Sequence, residues 1–229
     1  VYVSPDNTTN IFSPSSGPAK LLKGSERFGV DYVDGCFVHR SIHPSSISQA
    51  AKGLTECADA GMAKTIVVAN YSKEDMLKMR DALAQSGVPL ALNQGKFSIL
   101  RRIPETSSLL QTCRENGIVF QSYSSLAQGR LSGKYTKYNP PPKTYRFSSY
   151  PMEEIEPTLQ AVRDIAHKRG VPMSAVALNY NLSKGVQPVV GIRKPVQVEQ
   201  NVQALAWRLT NEEMQRLDDV SIEGKTTKL

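Results

Sequence analysis

Short apolar runs recur along this chain at near-even spacing, separated by helical patterns, and that rhythm restricts the fold more than any single residue does. The runs begin near Val33, Thr65, Leu90 and Val119, at intervals of 32, 25 and 29 residues, the length of one strand plus one helix. Ser46 stands as a cap before Ile47, Ala50, Ala51, Leu54 and Ala58, with Gly61 as the stop. A second helix is predicted from about Lys73 to Gln85 through Met76, Leu77 and Leu83. A third opens with Pro104 in its first turn, carries Leu109, Leu110 and Cys113, and ends at Gly117. Regular strand–helix alternation means a parallel sheet, and units this uniform favour a barrel over an open sheet.

The next run, Pro188-Val-Val-Gly-Ile-Arg193, follows Val119 by 69 residues. That interval holds a Pro-rich loop over 139–151 and two more helical patterns. One contains Ile155, Leu159, Val162, Ile165 and Ala166 with Gly170 as stop; the other runs from Ser174 to about Lys184. After the run come a helix opening at Pro195 and a last one from the Thr210-Asn-Glu-Glu213 capping box to about Val220. The expected fold class is α/β, a (β/α)8 TIM-barrel type that is incomplete at the N-terminus, with about five of eight core strands recognisable. The absent strands belong ahead of Ala19, which leaves an open edge beside the strand ending at His39. Residues 1–18, rich in Ser, Pro, Asn and Thr, read as irregular after a strand remnant at Val1–Val3. A short helix is predicted over Ala19–Phe28, and one domain over 1–229.

At 229 residues with 40% hydrophobic content the chain can bury one sizeable core. Its 28 Lys+Arg exceed 21 Asp+Glu by 7, but no basic block is longer than two residues and the cations are not interleaved with stacking aromatics. That argues against nucleic acid and leaves a basic surface or a small phosphorylated ligand. Cys36, Cys57 and Cys113 show no metal-ligand spacing and read as reduced core thiols, which suits a cytoplasmic protein. No apolar run approaches the length of a membrane helix, and the polar first residues do not read as a signal peptide. Thr227-Lys-Leu229 only approximates a peroxisomal address. The first residue is valine, which suggests a fragment or a processed product.

Barrel chemistry sits at the C-terminal ends of the strands. The five runs end in His39, Asn70, Gln94, Tyr123 and Arg193, which the barrel reading places on one common face.

Five segments are dense enough to compare with a known pattern: Asp31-Tyr-Val-Asp34 with Val38-His39; Val68-Ala-Asn-Tyr-Ser72; Asn93-Gln94; Gln121-Ser-Tyr-Ser-Ser-Leu-Ala-Gln-Gly-Arg-Leu-Ser-Gly-Lys-Tyr135; and Gly191-Ile-Arg-Lys-Pro-Val-Gln-Val-Glu-Gln-Asn201. In this order and spacing they resemble the C-terminal two-thirds of an aldo-keto reductase, over residues 19–223. The resemblance implies an oxidoreductase that moves a hydride between the nicotinamide of NADP(H) and a small carbonyl or alcohol substrate, without a metal. Such chemistry needs an acid to protonate the carbonyl oxygen and donors to polarise it. His39 matches the histidine of the family's Asp-Tyr-Lys-His tetrad, as a donor orienting the carbonyl. The other three members match nothing here.

By the same resemblance Asn70 and Gln94 hold the nicotinamide carboxamide and Tyr123 stacks on its ring. Ser124, Leu126, Gln128 and Gly129 belong to the loop around the pyrophosphate. Gly191, Arg193 and Lys194 receive the 2′-phosphate at a helix start, and Gln197 and Asn201 lie on the adenine side. Three departures stand out: Ala69 for a frequent Ser or Thr, Gly95-Lys96 for a more usual Val/Cys-Glu/Gln pair, and Gln200 for a common glutamate. Two readings follow, an NADP-dependent reductase, or a cofactor-binding or regulatory protein whose catalysis is impaired because Asp, Tyr and Lys are lacking.

Overall fold

The computed structural model describes residues 2–3, 29–39, 46–142 and 150–224. The helix expected over 19–28 and the C-terminal tripeptide lie outside the described residues. The chain divides into two compact units, Val1–Gly95 with Ser107–Phe120, and Lys96–Thr106 with Gln121–Leu229.

In the first unit, strand β1 (Tyr2–Val3) pairs in parallel with β2 (Val33–Val38) through Tyr2 opposite Phe37 and Val3 opposite Val38. The flank of β2 that the sequence suggested would be open therefore carries a short strand, formed by Tyr2 and Val3. Helix α1 (Ile47–Asp59) starts on a reciprocal cap, in which Ser46 Oγ accepts from Gln49 N at 3.2 Å and Gln49 Oε1 accepts from Ser46 N at 3.0 Å. Strand β3 (Ala63–Ala69) pairs with β2 from Val33–Ala63 to Val38–Val68. Helix α2 (Lys73–Ala84) leads to β4 (Leu90–Lys96), which pairs with β3 up to Ala69 opposite Gln94.

Ile66, Val67, Val68 and Ala69 are buried consecutively, as expected of a parallel strand covered on both faces. Cys36, Cys57 and Cys113 are free and buried, and burial pushes their thiols up to about 11, 12 and 12. At neutral pH they are protonated and poorly nucleophilic.

The single helix expected to open with Pro104 in its first turn and end at Gly117 is two. Helix α3 (Ile103–Thr106) stops, and α4 (Leu109–Glu115) begins after Ser108, whose φ of +62° is left-handed. One such residue ends the α-helical ladder.

In the second unit, strand β5 (Val119–Tyr123) pairs in parallel with β6 (Gln187–Pro188) at Gln121–Gln187 and Ser122–Pro188, and Val189 N donates to Ser122 O at 2.8 Å. The run read as a strand to Arg193 is thus strand for two residues only. Val190 turns into an apolar cluster with Leu126, Ala175, Leu178 and Ala204, which draws the chain off the ladder.

Helix α5 (Met152–Arg169) ends on Gly170 at φ +62°, and α6 (Met173–Ser183) is buried along most of its length. Helices α7 (Pro195–Val202) and α8 (Asn211–Asp219) follow. Asn179 of α6 holds the link between them, donating to Ala204 O at 2.8 Å and Trp207 O at 2.7 Å and accepting from Leu209 N at 3.0 Å.

Glu213, three residues after the cap Thr210, receives Arg169 Nε at 2.9 Å and Nη2 at 2.5 Å, and the Arg169 guanidinium lies 4.6 Å over the Trp207 ring. The guanidinium holds the Glu213 carboxyl below its ordinary 4.5, against the opposing effect of burial. A depressed folded value stabilises the protein fully above the unfolded value and loses that contribution as pH falls through the folded one. Glu213→Gln should therefore lower stability by about 1–2 kcal/mol at neutral pH. Urea melts should show that difference shrinking below pH 4.5; a difference independent of pH would refute the ionic origin.

Candidate functional site

In the first unit, His39 and Asn70 directly follow the C-terminal ends of β2 and β3, and Gln94 lies in β4 two residues before its end. The ladder register brings these ends side by side: Val38 pairs with Val68, and Ala69 with Gln94. Asn70 ties them together, its backbone N donating to Gln94 O at 2.7 Å and its side-chain Nδ2 to His39 O at 3.3 Å. Its φ is +60°, a left-handed conformation that asparagine tolerates better than most residues. Asn70 is exposed, and His39 and Gln94 are half-buried. The neighbours beneath are closed off: Asn93 is buried and donates from Nδ2 to Tyr71 O at 3.2 Å.

In the second unit, Tyr123 ends β5, half-buried, with its carbonyl accepting from Phe97 N at 3.4 Å. The chain then enters a strained loop. Ser124, Ala127 and Gln128 have φ of +55°, +47° and +53°, and Gly129 has +87°. Three non-glycine residues in the left-handed region within five positions cost of order 1 kcal/mol or more each, and such strain clusters at binding sites. The loop is held by Ala127 N to Ser124 O and Gly129 N to Leu126 O, both 2.8 Å. Beneath it, Ser122 Oγ lies 2.9 Å from both Ser125 Oγ and Asn181 Oδ1. Leu126 packs into the same apolar cluster as Val190, so the loop and the segment carrying Gly191 and Arg193 share one anchor. Leu126 thus shapes the loop from its apolar side. Gln128 Oε1 is buried without a hydrogen-bond partner among the described residues.

Arg193 and Lys194 are exposed ahead of α7. Their backbone N–H groups donate to Gln197 Oε1 at 2.7 and 3.1 Å, so the helix start is already capped by the protein. An anion here would meet the two side chains rather than those N–H groups. With its carbonyl engaged, Gln197 can offer only its amide NH2 to an adenine. Asn201 is half-buried on the last turn of α7, and Gly191 is exposed.

A further group around Tyr123 was not read from the sequence as a site. Tyr150 is almost fully buried, with Lys96 Nζ 5.6 Å and Arg130 Cζ 5.5 Å from its ring centroid. Arg130 is fully buried, and its Nε donates to Tyr150 O at 3.1 Å. The available signal was a charged residue set between Gly129 and the buried Leu131. Among the described residues no group of His, Cys, Asp and Glu could hold a metal ion, and no helix is long and apolar enough to cross a membrane.

This α/β fold matches solved enzymes of one class. The glycerol dehydrogenase AKR11B4 from Gluconobacter oxydans superposes with a TM-score of 0.82 over 96% of this chain and 69% of that one, at 25% identity. An aldo-keto reductase of Bombyx mori, in complex with NADP, superposes at 0.71 over 93% of this chain and 65% of that one, at 18% identity. The sequence profile of the Aldo/keto reductase family matches residues 12–222, and the chain belongs to that family of oxidoreductases, with its α/β TIM-barrel type of fold. It is 38% identical over 168 residues to the chloroplastic pyridoxal reductase of Arabidopsis thaliana, covering 72% of this chain and 46% of that protein. It is 28% identical over 219 residues to the L-glyceraldehyde 3-phosphate reductase of Escherichia coli O157:H7, covering 90% of this chain and 63% of that protein. The chain thus spans about half to two thirds of the length of these curated relatives.

Proposed function

We propose that this chain is an NADP(H)-dependent aldo-keto reductase acting on a small carbonyl compound. The observation that carries the reading is the strained loop after Tyr123 with the orphaned acceptor Gln128 Oε1 inside it. A buried carbonyl oxygen without a donor is costly, and a dinucleotide's ribose hydroxyls or carboxamide NH2 offer the donor it lacks. The donor set therefore fits the cofactor, although an acceptor suits a hydroxyl or amide better than the pyrophosphate oxygens.

In this reading Asn70 and Gln94 hold the carboxamide and Tyr123 packs on the ring, which sets the face presented to substrate. When bound, the reduced nicotinamide supplies the hydride that goes to the carbonyl carbon. His39 donates a hydrogen bond from its imidazole to the carbonyl oxygen and stabilises the charge that develops there. Arg193 and Lys194 hold the 2′-phosphate by charge-assisted bonds of ~1.5–3 kcal/mol each, enough for a preference of tenfold or more over NAD(H). Two of the relatives are named as reductases of aldehydes, pyridoxal and L-glyceraldehyde 3-phosphate, so aldehydes are the first substrates to try. We take the protein to be cytoplasmic, with a plastid as the alternative suggested by the Arabidopsis relative.

Calorimetric titration should show NADPH binding at least tenfold tighter than NADH, and Arg193→Ala should remove that margin while leaving NADH unaffected. Equal affinities, unchanged by the substitution, would refute the assignment. A second reading is a cofactor-binding protein with little turnover. NADPH oxidation over a panel of aldehydes separates the two: turnover abolished by His39→Ala supports the reductase, and NADPH binding without turnover supports the alternative.

A further inference from the structure

Helix α6 places Ala175, Val176, Ala177 and Leu178 in the core, yet it also buries Asn181 completely. A buried amide is costly unless its hydrogen bonds are made. Asn181 Nδ2 donates to Ala177 O at 2.8 Å, which orients the amide so that Oδ1 is left to accept. Ser122 Oγ donates to it at 2.9 Å. That uses the one proton of the Ser122 hydroxyl, so Ser125 is the donor at the 2.9 Å contact between Ser125 Oγ and Ser122 Oγ. The chain of bonds therefore runs in one direction, from Ser125 through Ser122 on β5 to Asn181 on α6, and all three residues are at most 1% exposed.

Ser122 also joins this chain to the segment that carries Gly191 and Arg193. Its carbonyl accepts from Val189 N at 2.8 Å and lies 3.2 Å from Ser125 Oγ. The Asn181 carbonyl accepts from Val186 N at 3.0 Å, directly ahead of β6. Ser125 itself stands in the run where Ser124, Ala127 and Gln128 are left-handed, a backbone that persists only when its surroundings over-determine it. The bonds from Ala127 N to Ser124 O and from Gly129 N to Leu126 O lie within that loop. The Ser125 hydroxyl ties it to β5 and α6.

We propose that Asn181, acting through Ser122 and Ser125, is a positioning residue for cofactor binding, holding loop 124–129 in its left-handed form before a dinucleotide arrives. The proposal rests on the reading of that loop as a wall of the cofactor site. Ordering a loop in the free protein favours binding, because the ordering is not then charged against the association. In that reading the loop meets the pyrophosphate, which NADPH and NADH share. The network therefore raises the affinity for both by the same factor, unlike Arg193 and Lys194.

Calorimetric titration should show Ser125→Ala weakening NADPH and NADH alike by about fivefold, as loss of one hydrogen bond commonly does. Asn181→Leu should weaken both by a comparable factor. The double variant should lose little more than either single one, because both changes break the same chain. A merely structural role would lower the melting temperature and leave the affinities of the folded protein unchanged, which would overturn the proposal. In the unsubstituted protein, hydrogen exchange should find the Ala127 and Gly129 amides protected before any cofactor is added, a readout that holds even if Asn181→Leu does not fold. Protection that appears only with NADPH bound would overturn the proposal. So would additive losses in the double variant, since Asn181 would then not act through Ser125, or a loss confined to NADPH, which belongs to the 2′-phosphate end. Failure of the cofactor reading would show separately, as an unsubstituted protein that binds neither dinucleotide, and would remove the positioning role with it.

Discussion

Replacing Asp218 by alanine should lower stability by about 2–4 kcal/mol, measured by urea denaturation at neutral pH. Asp218 is the centre of a partly buried ionic cluster: Tyr180 Oη donates to its Oδ1 at 2.6 Å, Lys184 Nζ to Oδ2 at 2.8 Å, and Arg102 Nη2 lies 3.2 Å from Oδ2. Glu105 completes it, receiving Lys184 Nζ at 2.5 Å and Arg102 Nε at 2.8 Å. Two cations then face two carboxylates, with side chains 17–26% exposed. The alanine leaves a surplus positive charge and a phenol without its acceptor. Burial and the bond to Asp218 keep that Tyr180 phenol well above its ordinary range, so it stays a donor. Asp218→Asn should cost less than alanine because an acceptor for Tyr180 survives. Lys184→Met in the Asp218→Ala background should recover part of the loss, since the surplus positive charge is removed. A double variant no more stable than the sum of its parts would show that the cluster acts only as separate pairs.

Gly95→Val restores a residue usual in the family and should nevertheless destabilise this chain by roughly 1–3 kcal/mol. A Cβ on Gly95 would stand 2.7 Å from Cζ and 3.1 Å from Cε2 of Phe120, a buried ring with little room to move. The phenylalanine occupies the volume that a larger residue at 95 would need. Phe120→Val alone should open a cavity, while Gly95→Val with Phe120→Val should lie closer to the parent than either single change. Thermal melts of the four proteins form the cycle that tests it. Additive losses would mean that the two positions do not share one packing volume.

Elements whose signals are local were legible in the sequence. The caps Ser46 and Thr210 and the stop Gly170 set helix limits to within a residue or two, because a cap satisfies backbone groups within its own turn. The split between Thr106 and Leu109 was not legible. Leu109, Leu110 and Cys113 continue a helical stripe, and only the left-handed turn at Ser108 breaks it. The last strand was overread for a related reason, since Val189 and Val190 have strand character but Val190 is claimed by the Leu126–Leu178–Ala204 cluster.

The sequence by itself determined the family, the α/β alternation, and the placing of His39 and Asn70 just after β2 and β3 and of Tyr123 at the end of β5, because periodicity and motif spacing are properties of neighbouring residues. Tertiary structure alone decided what those residues are bonded to. It joined Asn70 to the His39 carbonyl, turned Gln197 inward as the cap of α7, left Gln128 Oε1 without a partner among the described residues, and gathered Lys96, Arg101, Arg130 and Glu223 around Tyr150. These residues are separated by up to 127 positions, from Lys96 to Glu223, and electrostatic interaction depends on distance in space, which no local pattern records.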